Sequence, residues 1–594
     1  MILIFGGTTE GRTAISVCEE AGKHFYYSTK TDNQKVEMHN GVRLCGAMTG
    51  TEISTFCNEH HIACIVDAAH PFAENLHKAI AESAFPVIRL QRSFDSHVEG
   101  VVYCKDYREA MDRIAADGIQ CLLALSGVNT IAKLKDYWTN HHTVFRILDR
   151  QDSIETVDKC GFDMNNVIFY NNANTLPTVE DEKKTMTEVG CDAILTKESG
   201  DSGGFRAKVQ AALRLGIRVY AVEHPQLPAH WTYATGRYGL RRAIEKIVPD
   251  FFPLKTGLTT GACATAATKA AMMSLLFDDD SEEVSFALPD GEILTIPVEH
   301  VGKGVATVVK DHNDDPDVTK GCRITAKVEM RPNSAEETSE ENNAAASQQQ
   351  VRFLQGEGVG TVTLPGLGIP VGEPAVNPTP RKMICDEIAR LTQHNVDVTI
   401  SVANGAELAK LTFNPRVGVV SGISILGTSG IVHPLSNEAF INSIRRELQV
   451  AWAIGCREIG LVAGMKSEKA LKEARGLRCV HYGNFIGDSL KAAQEIGFRH
   501  VVLAIMIGKA VKLAEGHLDT HSHKFVMNKE FLKGIAAETG GDPSLIDDIT
   551  MARELWSIMP EAFFSKITDL CMEHCRTVFT NGELNILLIC DKKQ

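Results

Sequence analysis

The sequence predicts two parts of different fold class: an α/β N-terminal part built of two parallel-sheet halves, and an α+β C-terminal part that ends in a further parallel-sheet unit. Three observations support this prediction. Short β-rich runs alternate with helical patterns over the first part of the chain, the pattern breaks at Pro249–Pro253, and the alternation returns after Val417. We therefore expect a domain boundary near residue 252, which separates residues 1–252 from residues 253–594.

The N-terminal part opens with a strand-like run at Ile2–Phe5, a helical pattern at Arg12–Ala21 and a second run at His24–Ser28. The rhythm restarts at Cys121–Leu125 and continues to Arg218–Val222. Strands that alternate with helical patterns are typical of parallel sheets with crossover helices. Each half of this part is therefore expected to be Rossmann-like.

The C-terminal part begins with runs typical of antiparallel strands, such as Glu283–Leu288 and Gly304–Lys310. Residues 332–350 form a polar tract with almost no apolar side chains, which predicts a flexible surface loop. Further on, apolar runs at Glu458–Val462 and Val501–Met506 again alternate with helical patterns. We expect this end of the chain to form another Rossmann-like unit.

Composition and charge exclude several classes of function. The chain has 594 residues, of which 44% are hydrophobic and 23% charged, as expected for a globular protein too long for one core. Its net charge of −14 gives no general attraction to nucleic acid or to an anionic membrane. The apolar run Val501–Ile507 is far shorter than the roughly 20 residues that span a bilayer.

The cysteines and the first residues indicate where the protein works. Sixteen cysteines are scattered without the paired spacing of a disulfide framework or a zinc ribbon, which predicts a reducing cytoplasm and no metal site. Met1–Phe5 has no basic region and is expected to be a buried strand, not a signal peptide. The oligomeric state cannot be predicted from these features.

A glycine-rich turn, Gly6–Arg12, follows the first predicted strand and opens a helix. At this position backbone N–H groups and the helix dipole can bind a pyrophosphate, so Gly6, Gly7, Thr8 and Arg12 are our candidate residues for a dinucleotide. A tight turn without a ligand would also require glycine. Ser28–Lys30 stands where many NAD enzymes have an acid; these residues suit a 2′-phosphate, and a solvated turn explains them equally well.

Two further turns, Asp67–Ala73 and Lys197–Gly204, each follow a buried strand. The carboxyl ends of parallel strands are where doubly wound folds bind ligands, so both turns are expected at one ligand-binding edge. A His-Pro turn taken by itself is more often structural. The candidate catalytic residues at this edge are His70 and Lys197, and the candidate substrate-binding residues are Arg89, whose guanidinium suits a carboxylate, with Ser199 and Gly200.

These three motifs, in this order, resemble the precorrin-6A reductase family over essentially residues 1–250. The resemblance implies hydride transfer from NADH or NADPH to the C18–C19 double bond of a tetrapyrrole macrocycle, with a proton added beside it. Two positions depart from the family pattern. Ala69 stands where the family usually has threonine, and His224-Pro225 stands where it has Arg-Pro.

The second part opens with a Gly/Thr loop and a helix of small residues, Thr256–Lys269. Hydroxyl and N–H donors of Thr259, Thr260 and Gly261 are expected to face a substrate carboxylate, although close helix packing would also favour small residues. Further motifs follow in order: Asp314–Thr319, Gly356–Gly360, Val376–Arg381, Phe413–Arg416, Gly422–Gly430 and Thr520–Ser522.

This ordered set closely resembles the cobalt-precorrin-5B C1-methyltransferase family over about residues 253–590. The resemblance implies methyl transfer from S-adenosylmethionine to ring carbon C1, in which the protein aligns the reactants and excludes water. We expect a strand at Val417–Ile425 and, after it, a cofactor loop formed by Gly427, Thr428, Ser429 and Gly430; a plain glycine turn is the alternative. His521 is the candidate catalytic residue of this part.

The two resemblances together predict a bifunctional enzyme of cobalamin biosynthesis. Methylation of cobalt-precorrin-5B would give cobalt-precorrin-6A, which the other part would reduce to cobalt-precorrin-6B. One alternative is an unrelated nucleotide-dependent oxidoreductase fused to a binding module. Another is a tetrapyrrole carrier that binds the macrocycle without turnover.

Overall fold

The computed structural model describes residues 1–32, 35–91, 98–170, 177–198, 204–331, 351–521 and 524–590. The chain divides into two compact units: Met1–Lys255 with Glu292–Leu294, and Thr256–Gly291 with Thr295–Gln594. The tract at 332–350, predicted to be a flexible loop, lies outside the described residues. Within the described ranges, no helix has both the length and the apolar character that a membrane crossing requires.

The first unit alternates strands with helices. Its strands are β1 (Ile2–Phe5), β2 (Phe25–Thr29), β3 (Gly41–Cys45), β4 (Cys64–Asp67), β5 (Val87–Gln91), β6 (Val101–Cys104), β7 (Cys121–Ala124), β8 (His142–Leu148), β9 (Val167–Tyr170), β10 (Ala193–Lys197), β11 (Arg218–Val222) and β12 (Thr232–Thr235). Its helices are α1 (Thr9–Glu19), α2 (Gly50–Glu59), α3 (Glu74–Glu82), α4 (Tyr107–Ala116), α5 (Lys135–Trp138), α6 (Gln151–Cys160), α7 (Val179–Val189), α8 (Phe205–Arg214) and α9 (Gly236–Ile247).

Two six-stranded parallel sheets form this unit, as the sequence predicts. The first has the order β3-β2-β1-β4-β5-β12, and the second has the order β9-β8-β7-β10-β11-β6. β12 follows all strands of the second sheet in the chain, yet it pairs with β5 of the first. The segment from Thr232 through α9 to Phe252 therefore completes the first sheet and its core, which the sequence did not indicate.

Helices cover both faces of the first sheet. Ile2 and Ile4 of β1 belong to one apolar core and Leu3 and Phe5 to another, so successive side chains of the strand are buried on opposite faces. A strand buried on both faces is a continuous apolar run, without the alternation of a half-exposed strand. This is why Ile2–Phe5 was identifiable as a strand of a parallel sheet.

The second unit is mixed. Its strands are β13 (Gly257–Leu258), β14 (Glu283–Ala287), β15 (Ile293–Pro297), β16 (His300–Gly302), β17 (Val305–Val309), β18 (Arg323–Arg331), β19 (Val351–Gln355), β20 (Thr361–Val362), β21 (Asn395–Val402), β22 (Val419–Val420), β23 (Ile431–Val432), β24 (Glu458–Val462), β25 (Cys479–His481), β26 (His500–Met506) and β27 (Glu583–Ile589). Its helices are α10 (Thr260–Phe277), α11 (Pro378–Ala389), α12 (Gly405–Ala409), α13 (Asn437–Ala453), α14 (Met465–Arg475), α15 (Ile486–Ile496), α16 (Ile507–Ala514), α17 (Lys529–Glu538), α18 (Leu555–Ile558) and α19 (Glu561–Arg576).

A five-stranded sheet of order β16-β17-β18-β21-β19 dominates the first half of this unit. Its pairs are antiparallel except for β19 with β21. Helix α10 packs against β17 and β18, and its alanines and threonines are buried on nearly every side. The last half contains a parallel sheet of order β25-β24-β26-β27. Helices α13 and α15–α19 contribute to its larger core, and α14 contributes Leu471 to a smaller one. The mixed and parallel sheets match the predicted α+β class.

The prediction of a strand at Val417–Ile425 is wrong. Only Val419–Val420 is a strand, and it pairs with β20 outside the parallel sheet. Ser421 has a φ of 66°, which breaks an extended strand, and Ile423 and Ile425 form isolated bridges with Val359 and Val376. Val419, Ile423 and Ile425 are buried there by short strand-like contacts, which leave the same sequence pattern as a continuous strand.

Candidate active sites of the two units

The turn between β1 and α1 is held by its own Thr8 and by Tyr27 of the neighbouring strand β2. Thr8 caps α1 by accepting the Gly11 N–H at 3.4 Å, and its hydroxyl donates to the Ala68 carbonyl at 2.8 Å. A Cβ on Gly6 would overlap the buried Tyr27 ring, whose hydroxyl accepts the Gly7 N–H at 2.9 Å. The glycine at position 6 is therefore required by packing against Tyr27, with or without a ligand.

Gly7 itself has a φ of +105°, and nothing lies within 4 Å of the position its Cβ would take. The turn is thus open above Gly7, where a ligand could approach the backbone. Arg12 is exposed on α1. At the adjacent end of β2, Thr29 is buried and accepts a hydrogen bond from Arg43 Nη2 at 3.4 Å. Arg43 also lies 3.2 Å from the exposed Asp32 carboxylate.

Asp67, the last residue of β4, is completely buried and lies between two cationic or potentially cationic groups. Its Oδ1 is 2.9 Å from Arg89 Nη1, and its Oδ2 is 2.9 Å from His77 Nδ1. The Ala69 N–H donates to Oδ1 at 3.2 Å. Arg89 was predicted to bind a substrate carboxylate. Its Nη1 instead pairs with Asp67, because a buried carboxylate requires a paired charge.

His70 is exposed, and its Nδ1 accepts the Phe72 N–H at 3.2 Å. Lys197, the last residue of β10, lies over the Phe72 ring with Nζ 5.2 Å from the ring centroid. Burial lowers the pKa of Lys197 to about 8. The end of β10 therefore contacts the loop after β4; the sequence predicted one common edge for these two turns, whereas β4 and β10 belong to different sheets. Ser199 and Gly200 lie outside the described residues.

A cavity of about 260 Å³ lies beside this edge. It is lined by Pro71, Arg89, Gln91, Tyr233 and residues 224–227. Sequence reasoning noted His224 only as a departure from a family pattern and missed Gln91 and Tyr233. Tyr233 reaches this edge because β12 returns to the first sheet, which no local sequence signal reveals.

In the second unit, the two predicted ligand loops pack against each other. The Gly261 N–H donates to the Leu426 carbonyl at 2.9 Å, and the Leu426 N–H donates to Thr260 Oγ1 at 2.9 Å. Thr259 caps α10 by accepting the Ala262 N–H at 3.1 Å. A Cβ on Gly427 would overlap the Thr259 side chain. Of the donors expected to face a substrate, the N–H groups of Thr259 and Gly261 and the Thr260 hydroxyl are engaged within the chain.

Within the loop, Gly427 and Gly430 are buried, Ser429 is partly buried and Thr428 is exposed. Ser429 donates from its hydroxyl to the Ile431 carbonyl at 3.0 Å. Thr428 is therefore the member of the predicted cofactor loop that a ligand can reach with least rearrangement.

His521 lies elsewhere in the second unit, at the carboxyl edge of the parallel sheet. Its N–H donates to Asp519 Oδ1 at 3.1 Å, and the preceding Thr520 N–H donates to the Asn484 carbonyl at 3.0 Å, just beyond β25. Lys509, which follows β26, donates from Nζ to the Gly483 carbonyl at 2.6 Å and to Asn484 Oδ1. Burial lowers the pKa of Lys509 to about 8.

Arg416, from a motif after α12, contacts β25 of the same parallel sheet. Its Nη2 donates to the Cys479 carbonyl at 2.9 Å, and Nε donates to Glu447 at 3.1 Å. Glu468 lies 3.4 Å from Arg416 Nη1 and 2.6 Å from His481 Nε2. Hydrogen bonds from Lys472 and His481, with the Arg416 charge, outweigh desolvation and lower the pKa of Glu468 to about 2. The Arg416 guanidinium is therefore occupied by contacts that hold α13, α14 and β25 together.

Comparison with known proteins assigns each unit to a family. Residues 1–242 match the family described as "Precorrin-6x reductase CbiJ/CobK", and residues 249–434 match the family described as "CbiD". The chain is 38% identical to a cobalt-precorrin-5B C(1)-methyltransferase of Prosthecochloris aestuarii, over 57% of this chain and 94% of that protein. It is 40% identical to one of Geobacillus sp., over 54% of this chain and 88% of that protein.

Among solved structures, a CobK precorrin-6A reductase is similar at 17% identity with a TM-score of 0.34, over 42% of this chain and 97% of that one. The two family matches fall on successive stretches of the chain, in the order that the sequence motifs predicted. The chain therefore belongs to the cobalt-precorrin-5B C(1)-methyltransferase family and carries, ahead of that part, a domain of the precorrin-6x reductase family.

Proposed function

We propose that the chain catalyses two consecutive steps of cobalamin biosynthesis in the cytoplasm. Residues 253–594 methylate cobalt-precorrin-5B at C1 with S-adenosylmethionine, and residues 1–252 reduce the resulting cobalt-precorrin-6A with NADH or NADPH. The observation that carries the proposal is the pair of family matches on successive stretches of one chain. None of the sixteen cysteines, all in described residues, forms a disulfide, which supports a reducing compartment.

The first sheet is the proposed nicotinamide-cofactor site. Counted within the sheet, its strands have the order 3-2-1-4-5-6 of a Rossmann fold, and the glycine turn follows the central strand β1. The open space above Gly7 fits a pyrophosphate held by Gly6, Gly7, Thr8 and Arg12. When bound, this cofactor supplies a hydride. Arg43 beside Thr29 supports NADPH, because an arginine near the end of β2 suits a 2′-phosphate.

The reductase substrate is proposed to lie at the edge formed by the loops after β4 and β10. Lys197 and His70 are the proposed catalytic residues there, and Ser199 and Gly200 stay predictions. A lysine whose pKa is lowered to about 8 is still mostly protonated at pH 7, yet it can exchange its proton. That property suits the proton addition which the reduction requires.

The assignment of the loop Gly427–Gly430 to S-adenosylmethionine stays a prediction. It assumed that the loop follows a strand of the parallel sheet, and the fold does not support that assumption. The loop follows no strand of the parallel sheet, where such ligands bind at the carboxyl edge. The loops after β24 and β25 meet that rule, and they contain Gly464 and Asn484. A Cβ on Gly464 would meet nothing within 4 Å, so the backbone there is approachable. We propose this edge, near His521, as the alternative cofactor site.

One incubation tests the bifunctional proposal. Full-length protein with cobalt-precorrin-5B, S-adenosylmethionine and NADPH should give cobalt-precorrin-6B, detected by mass analysis as the gain of one methyl group and two hydrogens. Omitting NADPH should stop the reaction at the methylated product. Stoichiometric tetrapyrrole binding with no S-adenosylhomocysteine and no NADPH oxidation would instead favour the carrier.

A matched pair of variants locates the S-adenosylmethionine site. Thr428→Trp and Gly464→Trp each place the same bulky side chain at a position with room for it. The variant that lies at the cofactor site should lose at least ten-fold in affinity in calorimetric titration, while the other retains wild-type affinity. Unchanged affinity in both variants would contradict both locations.

A further inference from the structure

Lys509 lies where a positive charge is unfavourable for the fold. It is the third residue of α16, in the first turn, where the helix dipole disfavours a cation. Burial and, as a smaller contribution, the charge of Lys512 lower the pKa of Lys509 to about 8. Residues that oppose local stability in this way are expected at functional positions. The contacts of the ammonium group indicate what this residue does.

The Lys509 ammonium group joins two loops at the carboxyl edge of the parallel sheet in the second unit. Nζ donates to the Gly483 carbonyl at 2.6 Å and to Asn484 Oδ1, both in the loop after β25. It donates more weakly, at 3.5 Å, to Oγ1 of Thr520 in the turn that precedes His521. An ammonium group has three N–H donors and no acceptor. The three donors of Lys509 thus meet three protein oxygens, which indicates a positioning role.

Thr520 completes the connection from the other side. It is 2% exposed, and its backbone N–H donates to the Asn484 carbonyl at 3.0 Å. Its hydroxyl donates to the same carbonyl at 3.4 Å, so the hydroxyl oxygen is the acceptor towards Lys509. Lys512, one turn further along α16, donates from Nζ to the Thr520 carbonyl at 3.4 Å. The two lysines therefore tie the loop after β25 to the turn that contains His521.

Lys509 also determines how the Asn484 side chain is turned. The oxygen and nitrogen of an asparagine amide have nearly the same shape, and the terminal torsion is broad and roughly two-fold. An ammonium group can only donate, so only the amide oxygen can face Nζ. On the other side of the loop, the Phe440 ring lies where a Cβ on Gly483 would meet it at 2.9 Å, which restricts the loop further. Without the cation, both orientations of the Asn484 amide become accessible.

We propose that Lys509 is a positioning residue of the methyltransferase unit, which fixes the orientation of Asn484 and holds the loop after β25 against the turn of His521. The proposal rests on the methylation function of this unit and deepens the cofactor site proposed at this edge. Transfer of a methyl group between two bound reactants depends on their alignment, and misplacement by about 1 Å can reduce the rate about 100-fold. Loss of Lys509 should therefore lower kcat more than it raises either KM.

The central test is Lys509→Met in the full-length protein, which keeps a long side chain but removes its charge and its donors. Methylation is measured as release of S-adenosylhomocysteine from S-adenosylmethionine and cobalt-precorrin-5B. We expect kcat to fall about ten-fold or more and each KM to change less than about three-fold. Reduction of supplied cobalt-precorrin-6A should keep the wild-type rate. Lys491→Met, at an exposed position on α15, is the matched control and should methylate like the wild type.

Chemical rescue and a double-mutant cycle distinguish positioning from a general loss of stability. Lys509→Ala lacks the atoms of a propylammonium ion, so added propylammonium should restore part of its kcat, whereas uncharged propanol should not. If Lys509 acts through Asn484, the double variant Lys509→Met/Asn484→Leu should be no slower than the slower single variant. Calorimetry of each protein gives the Tm of the second unit.

The outcomes that contradict the proposal are distinct from failure of the methylation function. If the wild type methylates cobalt-precorrin-5B and Lys509→Met retains its kcat, the positioning role is wrong. No difference between propylammonium and propanol, or full additivity in the cycle, would also overturn it. A kcat that falls only in parallel with the Tm of the second unit would leave Lys509 a stabilising residue and nothing more. If the wild type itself releases no S-adenosylhomocysteine, the methylation function fails first.

Discussion

Two turns of this molecule have the same sequence character and opposite surroundings. Gly6–Arg12 and Thr256–Gly261 both combine glycine with threonine, and in each a threonine caps the following helix: Thr8 for α1 and Thr259 for α10. Above Gly7 there is open space. Around Thr259 the loop 426–430 packs directly against the helix start, and Leu426 engages its donors.

The difference shows what a Gly/Thr turn encodes. Its residues specify a capped helix start with close backbone approach, and both turns meet that requirement. Whether a ligand binds depends on what covers the turn, and the cover comes from elsewhere in the chain. Substitutions at Gly427, Gly7 and Thr8 distinguish a ligand site at the first turn from purely structural packing at the second, and Lys197→Met tests the edge beside the first turn.

The largest effect is expected for Gly427→Val. The new side chain would overlap Thr259, and residue 427 has a φ of +145°, so both packing and backbone are strained. We expect the free energy of unfolding of the second unit to decrease by about 3 kcal/mol or more, which calorimetry would detect as a lower Tm of that unit. Normal stability combined with lost S-adenosylmethionine binding would show instead that the loop is a ligand site.

Lys197→Met is expected to stabilise the first unit at pH 7. Burial lowers the pKa of Lys197 from 10.5 to about 8, so the fold disfavours its charged form. This destabilisation is present in full below pH 8 and disappears as the pH rises past 10.5. Removing it should add about 2 kcal/mol at pH 7 and less at pH 10, measured by urea unfolding at both values. Reductase activity should fall if Lys197 is catalytic; equal stabilisation at the two pH values would exclude a buried charge.

Gly7→Val should cost about 1–2 kcal/mol because of its φ of +105°, with no steric overlap. The β-branched side chain fills the space proposed for the pyrophosphate, so NADPH affinity should fall by at least ten-fold in fluorescence titration. Methylation by the second unit serves as the internal control. A folded variant with normal NADPH affinity would make the two turns equivalent and remove the contrast between them.

The smallest effect is expected for Thr8→Ala, which removes the cap of α1 and the contact with the Ala68 carbonyl. Loss of an N-cap costs about 1 kcal/mol, and Thr8→Ser should recover most of it. Urea unfolding of the three proteins is the measurement. If alanine and serine variants are equally stable, the hydroxyl of Thr8 does not cap the helix.

Local sequence patterns predicted the elements whose neighbours are close in the chain. Ile2–Phe5 and Arg218–Val222 were identified because a fully buried strand requires an uninterrupted apolar run. The edge rule placed the turns after β4 and β10 at carboxyl ends of strands, but the contact of Phe72 with Lys197 joins two different sheets and depends on tertiary structure. The pairing of Arg89 with Asp67 and the position of Tyr233 depend on tertiary contacts that leave no periodic signal. A continuous strand was wrongly predicted at Val417–Ile425 for a related reason, because residues buried through isolated bridges show the same apolar pattern as a strand.

The return of β12 to the first sheet reverses the order in which the two sheets of the first unit can be finished during translation. All strands of the second sheet leave the ribosome before Thr232 does. Until then β5 has an unpaired edge, and the first core lacks Ala234, Leu240 and Ile244. An open strand edge is a template for pairing with other chains, so the nascent protein exposes an aggregation-prone edge in this interval. The sheet that begins the chain is the later of the two to close.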